Sequence, residues 1–301
     1  MSKFPSRDML PKKLQSYFFI SEEFNNVNLI GKNKETVFCW HNNGDEQGLF
    51  PYKLLDGKTA YSNPHFSFGG IITRERGLNL NKLISELLDD LRSKKIVDLI
   101  IQLPPNIYKA IPHEQLVYFK ALSKNIEILG LETFPVLPLD MKVLSKSKKK
   151  YLGDSSCDIR WNQKSDLYAA WHVLEENLRI KYGTKPFHSA SDIFKLYVQN
   201  PNNIAWNVRH MNSEILGIQV YFLIDNVVHN QYTASSANGK KLHTADFLTG
   251  NAIHKYIKQS QFYDFGKSST DEGNKMNFSL LEYKMRWGCT AMLAPIMKFE
   301  I

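Results

Sequence analysis

Lys284 lies in "FSLLEYKMRW" (278–287), four residues after Leu280 and three before Trp287, so at helical spacing it shares their apolar face. Solvent-facing lysines do not sit there. Either its stem packs against Trp287 while the ammonium reaches water, or the cation projects into a groove where negative charge must be held. Upstream, "FYDFGK" (262–267) reads as a strand with Asp264 and Gly266 facing one way and Tyr263, Phe265 and Lys267 the other. A second strand, "VVHNQYTAS" (227–235), is crowded with polar groups. Alternation puts His229, Gln231 and Thr233 on one face and Asn230 and Tyr232 on the other. Leaving such groups buried and unpaired costs about 1–3 kcal/mol each, so they must be hydrogen-bonded. His229 can accept a proton near neutral pH, Tyr232 can donate one to a leaving thiolate or hydroxyl, and Asp264 can act as a base or orient a donor. Each also has a plainer reading as a structural hydrogen-bonder.

The elements that must hold these residues come in two similar series. "HFSFGGII" (65–72) reads as a strand, and 80–93 as a helix with Leu80, Leu83, Ile84, Leu87, Leu88 and Leu91 on one face. "IVDLIIQL" (96–103) is a buried strand ended by Pro104-Pro105. A helix over 113–123 and an extended stretch over 126–137 follow. An offset of 164 carries this series onto the strand from His229, a helix over 244–257, a strand over 260–267, a helix over 277–287 and the extended "MLAPIMKFEI". Upstream of each series stands a strand-turn-strand segment carrying Trp40 or Trp206. The chain reads as a tandem duplication of one α/β module. Its expected domains are 1–145 and 151–301, with the lysine-rich 142–150, "KVLSKSKKK", as a solvated linker or, alternatively, a phosphate-contacting strip.

Composition bounds the function. The 301 residues are 43% hydrophobic and carry a net charge of +8, which favours anionic partners without choosing among them. The longest apolar run, 215–224, falls short of a membrane span, and "MSKFPSRDML" lacks a signal peptide's apolar core, so a cytoplasmic protein is expected. Cys39, Cys157 and Cys289 allow no disulfide framework, and the nine histidines show no ligand spacing, so no metal is expected.

The order hairpin, strand, helix, strand, helix, strand resembles the N-acetyltransferase (GNAT) module. "FYDFGKSSTDEGNKMNFSLLEYKMRWG" resembles the C-terminal signature of Fem-type acyltransferases, which are tandem GNAT enzymes. "NPHFSFGGII", "KPFHSASDIFKLYVQNP" and "HNQYTASSANGKKLHTADFL" are similar to the same family. The resemblance implies an α/β fold of two GNAT-like modules, each a mixed central sheet flanked by helices. It also implies acyl transfer in a groove where the strands at 227–235 and 262–267 splay apart. Catalysis would fall to Lys284, His229, Tyr232 and Asp264, with Tyr283-Lys284 matching an aromatic-lysine pair implicated in family catalysis.

The donor implied is acetyl-CoA or another acyl-CoA, with its pyrophosphate at "SSANGKKLHT", where Ser236, Asn238, Gly239, Lys240 and Lys241 stand in place of the usual glycine-rich loop. Substrate contacts would fall to Tyr61, Ser62, His188, Gln231, Lys267 and Tyr283, with His65 nearby. Ser189 or Ser191 would cap the helix after His188. The acceptor implied is an amine or hydroxyl of a sugar nucleotide or cell-envelope precursor. A tRNA donor is the alternative, although the long helical insertion of tRNA-using relatives has no room between 160 and 260. A non-catalytic binding scaffold is the third reading. The oligomeric state is left open.

Overall fold

The computed structural model describes residues 12–15, 17–21, 24, 36–43, 46–62, 67, 69–111, 113–153 and 158–301. In chain order they form β1 (Thr36–Asn43), β2 (Glu46–Leu54), β3 (Thr59–Ser62), β4 (Ile72–Thr73), α1 (Gly77–Ser93), β5 (Asp98–Gln102), α2 (Gln115–Leu122), β6 (Asn125–Pro138), α3 (Lys146–Lys149), β7 (Asp158–Trp161), α4 (Lys164–Tyr182), α5 (Ala190–Gln199), β8 (Ile204–Met211), β9 (Glu214–Ile224), β10 (Val227–Ser235), α6 (Ala237–Lys241), α7 (Thr244–Tyr256), β11 (Phe262–Asp264), β12 (Ser269–Thr270), β13 (Lys275–Met276), α8 (Phe278–Met285) and β14 (Thr290–Glu300). Among the described residues no helix is long and apolar enough to cross a membrane.

Two compact units result, and neither is one stretch of chain. The first comprises residues 1–134, 267–277 and 292–301, and the second 135–266 and 278–291. The division is therefore not a cut between 145 and 151. In the first unit β1, β2 and β3 run antiparallel, β3 is parallel to β5, and β14 closes on β5 with Ile296–Glu300 opposite Gln102–Asp98. The six apolar residues that define one face of 80–93 are all buried in α1. In the second unit β8, β9 and β10 run antiparallel, β10 is parallel to β11, and Val136–Pro138 of β6 close on β11. The two sheets thus share one order, and each is closed by the other half's final strand. Backbone hydrogen bonding decides this: a parallel edge left open at β5 or β11 would expose a row of unpaired groups.

Two sequence expectations fail here. The counterpart of β10 is β3, not 65–72, where residues 67 and 69–71 carry no strand, Ile72 opens β4, and 65, 66 and 68 fall outside the described residues. The lysine-rich segment is exposed at Lys142, Lys146, Lys149 and Lys150, but it is not a linker outside the units. It lies inside the second unit, where α3 buries Lys148 and sends Nζ 2.6 Å from Asp246 Oδ1. Leu144, Lys148 and Tyr151, at i, i+4, i+7 spacing, are all buried. Elements that the sequence reading passed over, α4 and β7, pack onto the second unit's sheet.

Candidate active site

The second unit's two parallel strands stay paired for only three residues, Val227–His229 against Phe262–Asp264. At the last pair the side chains meet: His229 Nδ1 lies 2.9 Å from Asp264 Oδ2, and both residues are buried. Beyond it the strands part, for two local reasons. On β10 the register against β9 slips between Asn230 and Tyr232, so Gln231 is an extra, bulged residue. After β11 the chain turns through Gly266, whose φ of +68° suits glycine, and whose N–H donates to Asp264 Oδ1 at 2.8 Å.

Lys284 on α8 fills the gap. Its side chain is buried, and Nζ donates to Gly266 O at 2.8 Å. Burial pushes its pKa down to about 8, against the Asp264 carboxylate and Cys289, which favour the charged form. Cys289 is itself buried, and burial pushes its thiol up while Lys284 pulls it down. The ring of His229 donates through Nδ1 to Asp264. That leaves Nε2 3.2 Å from the Gln231 side chain, whose amide can turn to donate to it.

No family model matches the chain, and no curated protein matches it. Solved structures do. FemX has a TM-score of 0.65 at 11% identity, covering 91% of this chain and 90% of its own. L-PGS from Bacillus licheniformis has a TM-score of 0.61 at 13% identity, covering 100% and 93%. A conserved protein of unknown function from Bacteroides thetaiotaomicron has 0.59 at 9%, covering 88% and 86%. The fold is the Fem-type fold. At these identities the likeness speaks for the fold alone.

Two adjoining cavities open beside α8 on the second unit. The first, of about 390 Å³, is lined by Gln231, Thr233 and Asn230 of β10, by Phe265, and by Tyr283 and Lys284 of α8. Leu174, Asn177, Leu178 and Tyr182 of α4 also line it, residues that the sequence reading did not single out. The second, of about 480 Å³, is lined by Lys148, Lys150, Lys240, His243 and Arg286 around the first turn of α7. Ser235, Lys240, Ala245 and Tyr283 line both. Lys148 lies 5.2 Å from the ring centroids of Tyr283 and Trp287, so its charge is held by aromatic faces as well as by Asp246.

The expected site residues divide accordingly. Gln231, Tyr283 and Lys284 line the first cavity, whereas His229 and Asp264 sit behind its wall. Tyr232 turns away: its hydroxyl is 2.7 Å from His188 Nδ1 and its ring meets Trp171 edge-on. Burial pushes that phenol up to about 12. His188 is buried there too, and Ser189 caps α5 with a reciprocal Asp192 bond.

The expected phosphate loop spends three of its backbone N–H groups within the chain. Ser236 N donates to Leu216 O, Gly239 N to the Ser236 hydroxyl and Lys240 N to Ser236 O. Gly239 is glycine because any Cβ there would collide with Leu216 O. Asn238 donates to the Glu214 carboxylate, Lys241 lines neither cavity, and only Lys240 of the five does.

Tyr61, Ser62 and Lys267 belong to the first unit. There Tyr61 reaches Gln102 at 3.4 Å, Ser62 accepts from Gly70 N at 2.7 Å, and Lys267 lies 2.8 Å from Glu132. His65 and Cys157 fall outside the described residues. Among the described residues no three His, Cys, Asp or Glu side chains gather as a metal ion would need.

Proposed function

We propose that this chain is an acyltransferase that moves an acetyl or similar acyl group from acyl-CoA to an amine or hydroxyl of a sugar or cell-envelope precursor. The observation that carries the reading is Lys284: a buried amine with a lowered pKa, fixed on Gly266 O where β10 and β11 part, and lining a cavity. In such a transfer the acceptor's nitrogen or oxygen bonds to the acyl carbon, its proton passes to a base, and the C–S bond breaks to release a thiolate. One Nζ–H is spent on Gly266. The ammonium can stabilise the developing oxyanion or protonate the thiolate, and a pKa of about 8 suits that exchange. His229, oriented by Asp264, would accept the acceptor's proton at Nε2 once the Gln231 side chain turns aside from it.

Lys148, Lys150, Lys240 and Arg286 of the second cavity supply the charge a pyrophosphate needs. They suit a nucleic-acid end as well. Because the N–H groups of 236, 239 and 240 are already spent, an aminoacyl-tRNA donor is the second reading.

The test is calorimetric titration with acetyl-CoA of the protein and of Lys284→Ala, paired with acetyl transfer to an amino-sugar panel. The expected result is saturable binding by both, with turnover in the variant down about 10²–10³-fold. Binding of aminoacyl-tRNA with a steep salt dependence, and none of acetyl-CoA, would move the donor to the second reading. Binding of neither would end the transferase reading and leave a scaffold.

A further inference from the structure

Lys284 also limits which acyl group can be brought to it. In the proposed transfer its Nζ lies about 3 Å from the carbonyl oxygen that becomes the oxyanion. An aminoacyl group carries an ammonium on the neighbouring carbon, about 2.5 Å from the carbonyl carbon. The two cations would then stand within about 6 Å of each other beside buried protein, where repulsion exceeds its value in bulk water. With a pKa of about 8, Lys284 is mainly charged at neutral pH, so the repulsion is present.

A site that accepts such a group needs a carboxylate to offset the second charge. Among the described residues no Asp or Glu lines the 390 Å³ cavity, whereas Lys181 and Lys240 line it together with Lys284. The carboxylates behind the walls are engaged. Asp264 receives the His229 ring and the Gly266 N–H. Asp246 lines the adjoining 480 Å³ cavity and lies 2.6 Å from Lys148 Nζ.

The rest of the lining offers dipoles and apolar surface, not countercharge. Gln219 Oε1 accepts from the Tyr221 hydroxyl, and Asn230 Oδ1 from the Thr233 hydroxyl. Leu174, Leu178, Phe265 and Leu280 complete the wall with surface that suits a hydrocarbon chain.

We propose that the group transferred here is an acyl group without an ammonium, and that Lys181, Lys240 and Lys284 exclude aminoacyl groups by charge. The inference rests on the acyltransferase reading. It holds for either carrier, CoA or RNA, because the charge it concerns belongs to the acyl group.

The experiment is calorimetric titration with propionyl-CoA and glycyl-CoA, at about pH 6.5 so that the glycyl amine is charged. The two are isosteres, with a methyl group in one where the other has an ammonium. Propionyl-CoA is expected to bind more than about tenfold tighter. Lys181→Glu, an exposed change, and Lys284→Met should each cut that ratio about threefold. Equal binding, or tighter binding of glycyl-CoA, would overturn the proposal and leave the acyl-CoA reading standing. A ratio that neither variant changes would overturn it too, because shape and not charge would set the preference. If neither thioester binds, the acyl-CoA reading fails by itself, and the same two groups are compared as 3′-amides of adenosine. Tighter binding of the propionyl amide then upholds the exclusion. Equal or tighter binding of the glycyl amide, or binding of neither, overturns it.

Discussion

A buried lysine costs stability when charged, and Lys284 carries that cost with a definite sign. Its pKa falls from 10.5 to about 8 on folding, so between those values the unfolded chain holds more protons than the folded one. Stability therefore rises with pH across that window. The contribution is complete above about 10.5, disappears as pH falls through about 8, and amounts to about 3 kcal/mol. Lys284→Met should flatten this part of a stability-versus-pH curve measured by denaturant melts. Turnover should run the other way: if the ammonium is the working form, the rate falls as pH rises through about 8, and a rate that climbs instead would make the neutral amine the active species. Lys148 tests another buried charge. With side-chain exposures of 10% and 9%, Lys148 and Asp246 form a pair whose rupture by Lys148→Met strands the carboxylate, and unfolding should become easier by about 3–5 kcal/mol.

Elements position these residues by small irregularities, which is why the sequence reveals them unevenly. The apolar spacing of 80–93 made α1 legible, because burial repeats every turn. Lys284 was legible for the same reason, since a lysine on an apolar face breaks the pattern. The bulge was not. Alternation set Tyr232 apart from Gln231 and Thr233, as found, but it assumes an unbroken pleat, and the extra residue at 231 brings Asn230 to the cavity beside them. Nor did the glycine of "SSANGKK" show its purpose, since a phosphate cradle and a tight crossing over Leu216 O both call for the same residue. Gly239→Ala separates the two. The crossing predicts a loss of thermal stability with or without donor, whereas a cradle would lose donor affinity in a protein that melts normally.

At the scale of the molecule, the order of elements was legible and the closing strands were not. Both halves of the duplication read alike in sequence, and nothing local tells β14 to pair with β5 or β6 with β11; only long-range backbone pairing does. Deleting 292–301 should strip the strand that closes the first unit's sheet. Limited proteolysis of that variant should then cut within 36–134 and spare 158–266.

The exchange also sets a timetable for synthesis. The first unit's sheet needs Ile296–Glu300, which are translated long after Phe134. At roughly 5–20 residues per second, the nascent first half waits on the order of ten to thirty seconds with the β5 edge bare. During that interval it is a client for a holding chaperone, and a second ribosome on the same message carries an identical bare edge close by. Errors of assembly should therefore track translation density more than temperature.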